Sequence, residues 1–231
     1  NDIKGMRIGL PKEYLGEGID AKVEGKVKEV VKKLEELGAI VEECSLPHTD
    51  YAIPTYIIIA TAEGSSNLAR YDGVRYGYRT DRAEDVLSMY CRTRAEGFGE
   101  EVKQRILFGT YVLSSGNYET YYLKALKLRT LIKQDFDQAF ERYDCLLTPT
   151  APNVAFEFGT KADPTAISKQ QACTIPVNLA GIPALNIPFG QVNNKPVGIQ
   201  LIGKAFDEGT LLRVAYTLEQ NSTETRIKPE I

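Results

Sequence analysis

The side chains in this 231-residue chain able to attack, titrate or grip a ligand are a serine pair, one histidine, four cysteines and a run of arginines and tyrosines. Ser65 and Ser66 stand beside Gly64 in EGSSNLARYDGVRYGYR, residues 63–79. A serine hydroxyl is a weak nucleophile at neutral pH and needs an adjacent base and N–H donors for the developing oxyanion. Leucine and alanine follow this pair instead of further glycines, and the strained G-x-S-x-G turn occurs nowhere. Packing, or back-bonding to helix carbonyls, is the role expected for both serines. His48, in LPHTD, has no suitable serine or cysteine in view and reads as a solvated loop residue.

Cys44, Cys91, Cys145 and Cys173 show no C-x-x-C spacing, so neither a zinc site nor a disulfide framework is indicated, and four reduced thiols are expected. Neither G-x-G-x-x-G nor G-x-x-x-x-G-K-[ST] appears. The stretch RYDGVRYGYRTDR alternates arginine with tyrosine, side chains that stack bases or fork onto a carboxylate. A surface corner held by Arg–Asp pairs is the preferred reading. The net charge of −3 carries no basic excess, so any contact with RNA would be local. No run approaches the roughly twenty apolar residues of a membrane span, and a soluble cytoplasmic chain is expected. The chain opens at Asn1 with its first methionine at Met6, which suggests processing or a piece of something longer.

These residues need elements to hold them. Met6 to Leu10 reads as a buried strand, and Val23, Val27, Val30, Val31 and Leu34 recur at helical spacing between an N-cap at Asp20 and a stop at Gly38. AIVEEC then reads as a second strand, giving a β-α-β crossover that favours parallel pairing. From Thr49 the pattern turns helical: YAIPTYIIIATAEGSSNLARY is one candidate, with Pro54 in its first turn, and AEDVLSMYCRTRAEGF another. Residues 117–143 form the longest predicted helix, with Tyr118, Tyr122, Ala125, Ile132, Phe136 and Phe140 inward and Lys124, Lys127, Arg129, Lys133 and Asp137 in water. DCLLTPTAP reads as a buried strand stopped by prolines, where loops at the carboxyl end of a sheet meet ligands. Residues 151–172 form a long loop. PALNIPFG and KPVGIQLIG make a hairpin around QVNNK, a helix covers Asp207 to Gln220, and a polar tail follows.

Several of these blocks are familiar. EGSSNLARYDGVRYGYR, RAEGFGEEVKQRILFGTYVLSSGNYETYYLKA, TLIKQDFDQAF, LLTPTAP and IPVNLAGIPALNIPFG with PVGIQLIGKAFDE resemble the C-terminal half of the amidase-signature enzymes. The likeness is strongest to their glutamine-hydrolysing, tRNA-dependent amidotransferase branch. It runs from about Lys4 to Gln220. It implies an α/β fold: the C-terminal part of a single amidase-signature domain, with a mixed β-sheet flanked by helices on both faces. Within 1–231, residues 1–48 would form the β-α-β opening, 49–143 a helical region, 144–220 the sheet and closing helix, and 221–231 the tail.

The resemblance implies a metal-free amidase site in which a lysine and a serine activate a second serine. These three lie in a glycine- and serine-rich segment that is absent from these residues, so no catalytic residue is assigned here, Ser65 and Ser66 are not the signature pair, and the chain alone is expected to be inactive. By position, Tyr56 matches the family's substrate tyrosine and Arg105 the arginine that grips the α-carboxylate. Gln171 falls where an acidic residue would hold the α-ammonium, and a neutral amide there offers no charge compensation. The resemblance implies no cofactor in this chain, with ATP and magnesium used by a partner protein. Its implied partners are the N-terminal half of the amidase domain, the second and third subunits of an amidotransferase, and glutamine, with tRNA met only through the complex and no membrane. A different amide hydrolase, and a non-catalytic binding or scaffold chain, are the alternatives.

Overall fold

The computed structural model describes residues 2–159 and 171–226. They fall into two compact units: residues 1–53 with 129–231, and residues 54–128.

The first unit is built on a five-stranded mixed sheet of order β2-β1-β3-β5-β4. Its strands are β1 (Arg7–Pro11), β2 (Ile40–Cys44), β3 (Cys145–Pro149), β4 (Ala184–Val192) and β5 (Lys195–Gly203). β1 runs parallel to both β2 and β3, whereas β5 is antiparallel to β3 and β4. Helix α1 (Ala21–Glu36) makes the expected crossover from β1 to β2. The Asp20 carboxylate accepts the Lys22 N–H at its start, and Gly38 adopts φ 92° just beyond its end. Gly9 permits a close approach between strands, since a Cβ there would sit 2.5 Å from the Leu146 side chain.

One face of the sheet buries Ile8, Cys145, Leu147, Ile199 and Leu201 beneath Val23, Val27, Val30 and Leu34 of α1 and Leu211, Val214 and Leu218 of α7 (Glu208–Gln220). Each such side chain contributes about 1.5–3 kcal/mol on burial, an upper value against a compact unfolded chain. The hairpin turns on Asn193 (φ 52°) and Asn194 (φ 60°), two left-handed residues whose twist suits a two-residue connection. Pro188 lies on the edge strand β4, next to a register shift that ends at Gln191, so its missing N–H breaks no central ladder.

The second unit is helical: α2 (Ala52–Leu68) enters it, α3 (Val86–Gly97) and α4 (Glu100–Leu113) follow, and a π-helical stretch, Tyr118–Leu123, leads into α5 (Lys124–Ala139). The long helix expected over 117–143 is therefore π-helical at its start and ends at Ala139. Helix α4 lies within the helical region expected over 49–143, where no separate helix was assigned to it. Gly109 is there for contact: a Cβ at this position would lie 2.0 Å from the Thr61 carbonyl oxygen on α2. The Ser65 hydroxyl bonds that of Thr110 at 2.9 Å, so Ser65 is a packing residue. Asp85 and Ser88 close a reciprocal cap on α3.

Arg129, expected in water, instead donates its Nε–H to the Leu179 carbonyl at 2.8 Å. Leu179 belongs to the short helix α6 (Ile175–Ala180), whose terminal carbonyls need such donors. Residues 160–170 of the long loop and 227–231 of the tail lie outside the described residues.

Candidate functional site

Tyr56 sits half-buried on α2. Arg105 is exposed on α4, where its Nη2 donates to Glu101 at 2.6 Å, one turn earlier. Half of that guanidinium side chain is solvent-exposed, so the pair is worth only a few tenths of a kcal/mol and its fork can exchange Glu101 for another carboxylate. These two belong to the helical unit and Gln171 to the sheet unit. Gln171 is exposed, in the turn that enters α6. Its carbonyl accepts the N–H groups of Thr174 and Ile175 at 3.1 and 3.0 Å, which fixes the backbone and leaves the side-chain amide free to meet a ligand.

Two polar clusters in the sheet unit were not foreseen. In one, the buried Asp135 carboxylate accepts both the backbone N–H of His48, at 2.7 Å, and its ring Nδ1–H, at 2.8 Å. The histidine expected to be solvated is thus clamped through Nδ1. A carboxylate partner there fixes the ring's orientation and tautomer. The signal available in the sequence was an acid three residues after Ile132 and one before Phe136, on the buried stripe of α5. Tyr14, just past β1, is buried beside Thr49, Cys173, Glu13 and Asp135, and that burial drives its phenol well above the usual value. It therefore stays protonated at neutral pH.

In the other cluster, Gln200 on β5 is 4% exposed and Thr148 on β3 fully buried. The Gln200 Nε2 donates to the Thr148 hydroxyl and to the Cys173 carbonyl, both at 3.0 Å. This ties the turn carrying Gln171 to the second face of the sheet.

Three of the four thiols are poor nucleophiles. Burial pushes Cys44, Cys145 and Cys173 each up to about 12, so they are neutral at pH 7. Among the described residues, no three His, Cys, Asp or Glu side chains gather as a metal site, and no helix is long and apolar enough to cross a membrane. The Arg–Tyr corner takes the form preferred from its sequence. Arg75 pairs with Asp72 at 3.0 Å, Arg82 with Glu96 at 2.9 Å, and Arg94 donates to the Leu68 and Tyr71 carbonyls. Backbone N–H bonds from Val74 and Arg75, joined by the Arg75 side chain, hold the Asp72 carboxyl at about 2.

Tyr56 is a half-buried phenol, Arg105 an exposed guanidinium in a surface pair, and Gln171 an exposed side-chain amide on a fixed backbone. The chain is 65% identical, over its whole length, to a glutamyl-tRNA(Gln) amidotransferase subunit from Desulforamulus reducens, of which it covers 48%. It is 59% identical to the subunit of the same name from Carboxydothermus hydrogenoformans, again covering 48% of it. Among solved structures, the corresponding glutamyl-tRNA(Gln) amidotransferase subunit from Thermotoga maritima superposes on 99% of the chain with a TM-score of 0.75 and 38% identity, the match spanning 45% of that protein. The chain thus spans about half the length of the relatives it matches. The family model described as Amidase aligns with residues 1–212, and with the sheet topology and these relatives it establishes that the chain belongs to the amidase family.

Proposed function

We propose that these residues are the C-terminal portion of an amidotransferase subunit that hydrolyses glutamine and supplies ammonia for converting Glu-tRNA(Gln) to Gln-tRNA(Gln). The observation carrying this reading is the 65% identity that extends along the whole chain to a protein of that name. On this reading Tyr56 lines the glutamine site, Arg105 leaves Glu101 to fork onto the substrate α-carboxylate, and Gln171 accepts from the α-ammonium. The lysine and two serines that cleave the amide come from sequence outside these 231 residues. A partner protein handles ATP and magnesium, a third component completes the complex, tRNA is met through that complex, and the work is cytoplasmic.

The test is ammonia release from glutamine. The 231-residue chain alone is expected to release none, and the full-length protein with its partners is expected to release it. Turnover by the isolated chain would refute the division of labour. Arg105→Ala in the full-length protein should raise the glutamine KM by about tenfold or more, through loss of a charge-assisted pair.

One observation favours a second reading, an amide hydrolase with a different substrate: Gln171 brings no negative charge to an ammonium. Gln171→Asp separates the two. A gain confined to glutamine supports the first reading, and an equal change on glutamine and simple amides supports the second. A non-catalytic scaffold would instead give a monodisperse, cooperatively melting isolated chain, whereas a half-domain should self-associate.

A further inference from the structure

We propose that Gln200 is a positioning residue for the turn that presents Gln171, and thereby sets how the protein distinguishes an amide that ends in an amino-acid group, as glutamine does, from a plain one. The proposal rests on the reading above, in which Gln171 meets the substrate ammonium.

Gln200 is a buried primary amide in a strand whose neighbours Val197, Ile199, Leu201 and Ile202 are buried aliphatics. Such a group is kept only when it is hydrogen-bonded, so its partners say what it is for. Thr148 stands opposite it in the β3–β5 ladder, and the Thr148 hydroxyl takes one N–H. That bond orients the amide plane and leaves its second N–H for the Cys173 carbonyl. Cys173 lies two residues beyond Gln171, whose own carbonyl is closed by the Thr174 and Ile175 N–H groups and by the Thr174 hydroxyl at 3.2 Å.

The path from the sheet to Gln171 is therefore one side-chain bond followed by one closed turn. α6 is anchored by its buried Ile175, Val177 and Leu179 and by Arg129, and the Gln200 bond is the polar tie made to the turn itself, at Cys173. Replacing the amide by a carboxylate of the same shape puts an acceptor against the Cys173 carbonyl. The turn must then shift, while the strand keeps its packing.

The experiment uses the full-length protein of which this chain is part, with its partner subunits. It measures kcat and KM for glutamine and for propionamide, which lacks both α-substituents. For Gln200→Glu we expect the glutamine KM to rise about tenfold with kcat within about twofold, and propionamide kcat/KM to stay within about twofold. In a Gln171→Ala background the Gln200 effect should vanish, because both changes act through the same contact. A merely structural role would lower both substrates together. Equal losses on both substrates, an unchanged glutamine KM in a folded variant, or additivity with Gln171→Ala each overturn the proposal.

If Gln200→Glu does not fold, Thr148→Val carries the same test, with an expected rise of about threefold in glutamine KM as the amide loses its orienting partner. A wild-type protein that fails to hydrolyse glutamine overturns the underlying reading and the proposal with it. Normal wild-type turnover with an unresponsive Gln200 overturns the proposal alone.

Discussion

Each of the two compact units draws its internal order from different physics. The largest fully buried side chains, among them Ile8, Leu34, Phe136, Leu147, Ile199 and Leu201, all belong to the sheet unit. Exposed apolar side chains occur in both, Val74, Val86, Leu87 and Leu107 in the helical unit and Phe158, Phe206 and Leu212 in the sheet unit, so the contrast lies in what is buried. The helical unit's internal order comes from the reciprocal cap at Asp85, the close helix approach at Gly109, and charged pairs such as Arg75 with Asp72. The sheet unit should therefore resist local opening with most of the molecule's free energy, and the helical unit should open at lower cost. On the proposed reading, in which Arg105 would leave Glu101 for a substrate carboxylate, that exchange falls in the second kind of region.

The largest expected effect falls in the sheet core. Leu147→Ala should destabilise by about 2–5 kcal/mol in urea unfolding, because the deleted methyl groups leave a void between sheet and helices. Leu107→Ala, on the exposed side of α4, should stay within about 0.5 kcal/mol. Equal losses at the two sites would erase the contrast.

Gly109→Ala comes next. In an exposed helix this change would stabilise by up to about 1 kcal/mol, but the Thr61 carbonyl lies where the new methyl must go, so a loss of about 1–3 kcal/mol is expected. Faster amide exchange in α2 and α4, with β3 and β5 unaffected, would sharpen the division. Asp85→Ala should cost about 1 kcal/mol and speed exchange in the first turn of α3 only.

The smallest effect is a pH dependence. The folded Asp72 carboxyl sits at about 2, below its unfolded value near 4, so its stabilisation is complete above pH ~4 and is lost as pH falls towards 2. Tyrosine fluorescence should report an acid transition in this range, with less steepness in Asp72→Asn. An unchanged acid limb would show that the corner contributes nothing to the helical unit.

Legibility in the sequence cut across that division: α2 and α3 of the helical unit were read from their patterns, whereas His48 and Arg129 of the sheet unit were not. The crossover β1-α1-β2, the hairpin and the closing helix were readable because period-2 and period-3.6 apolar patterns ran uninterrupted between clear stop residues. α4 was not assigned separately; Gly109 lowers its local helix propensity, and contact with α2 compensates for it. His48 and Arg129 were misjudged for a related reason. Each is bonded to a group far along the chain, Asp135 and the Leu179 carbonyl, and no local pattern announces such a partner.

By itself the sequence determined the family, through the motifs shared with it, and with the family came the mixed α/β architecture and the implied roles of Tyr56, Arg105 and Gln171. The local pairing of Arg105 with Glu101, one turn apart, follows from their spacing, but only the tertiary structure decided that Asp135 clamps His48 and that Gln200 holds the turn before α6. Hydrogen bonds between distant residues form only after apolar burial has paired the elements that carry them, and that pairing is a property of the packed chain.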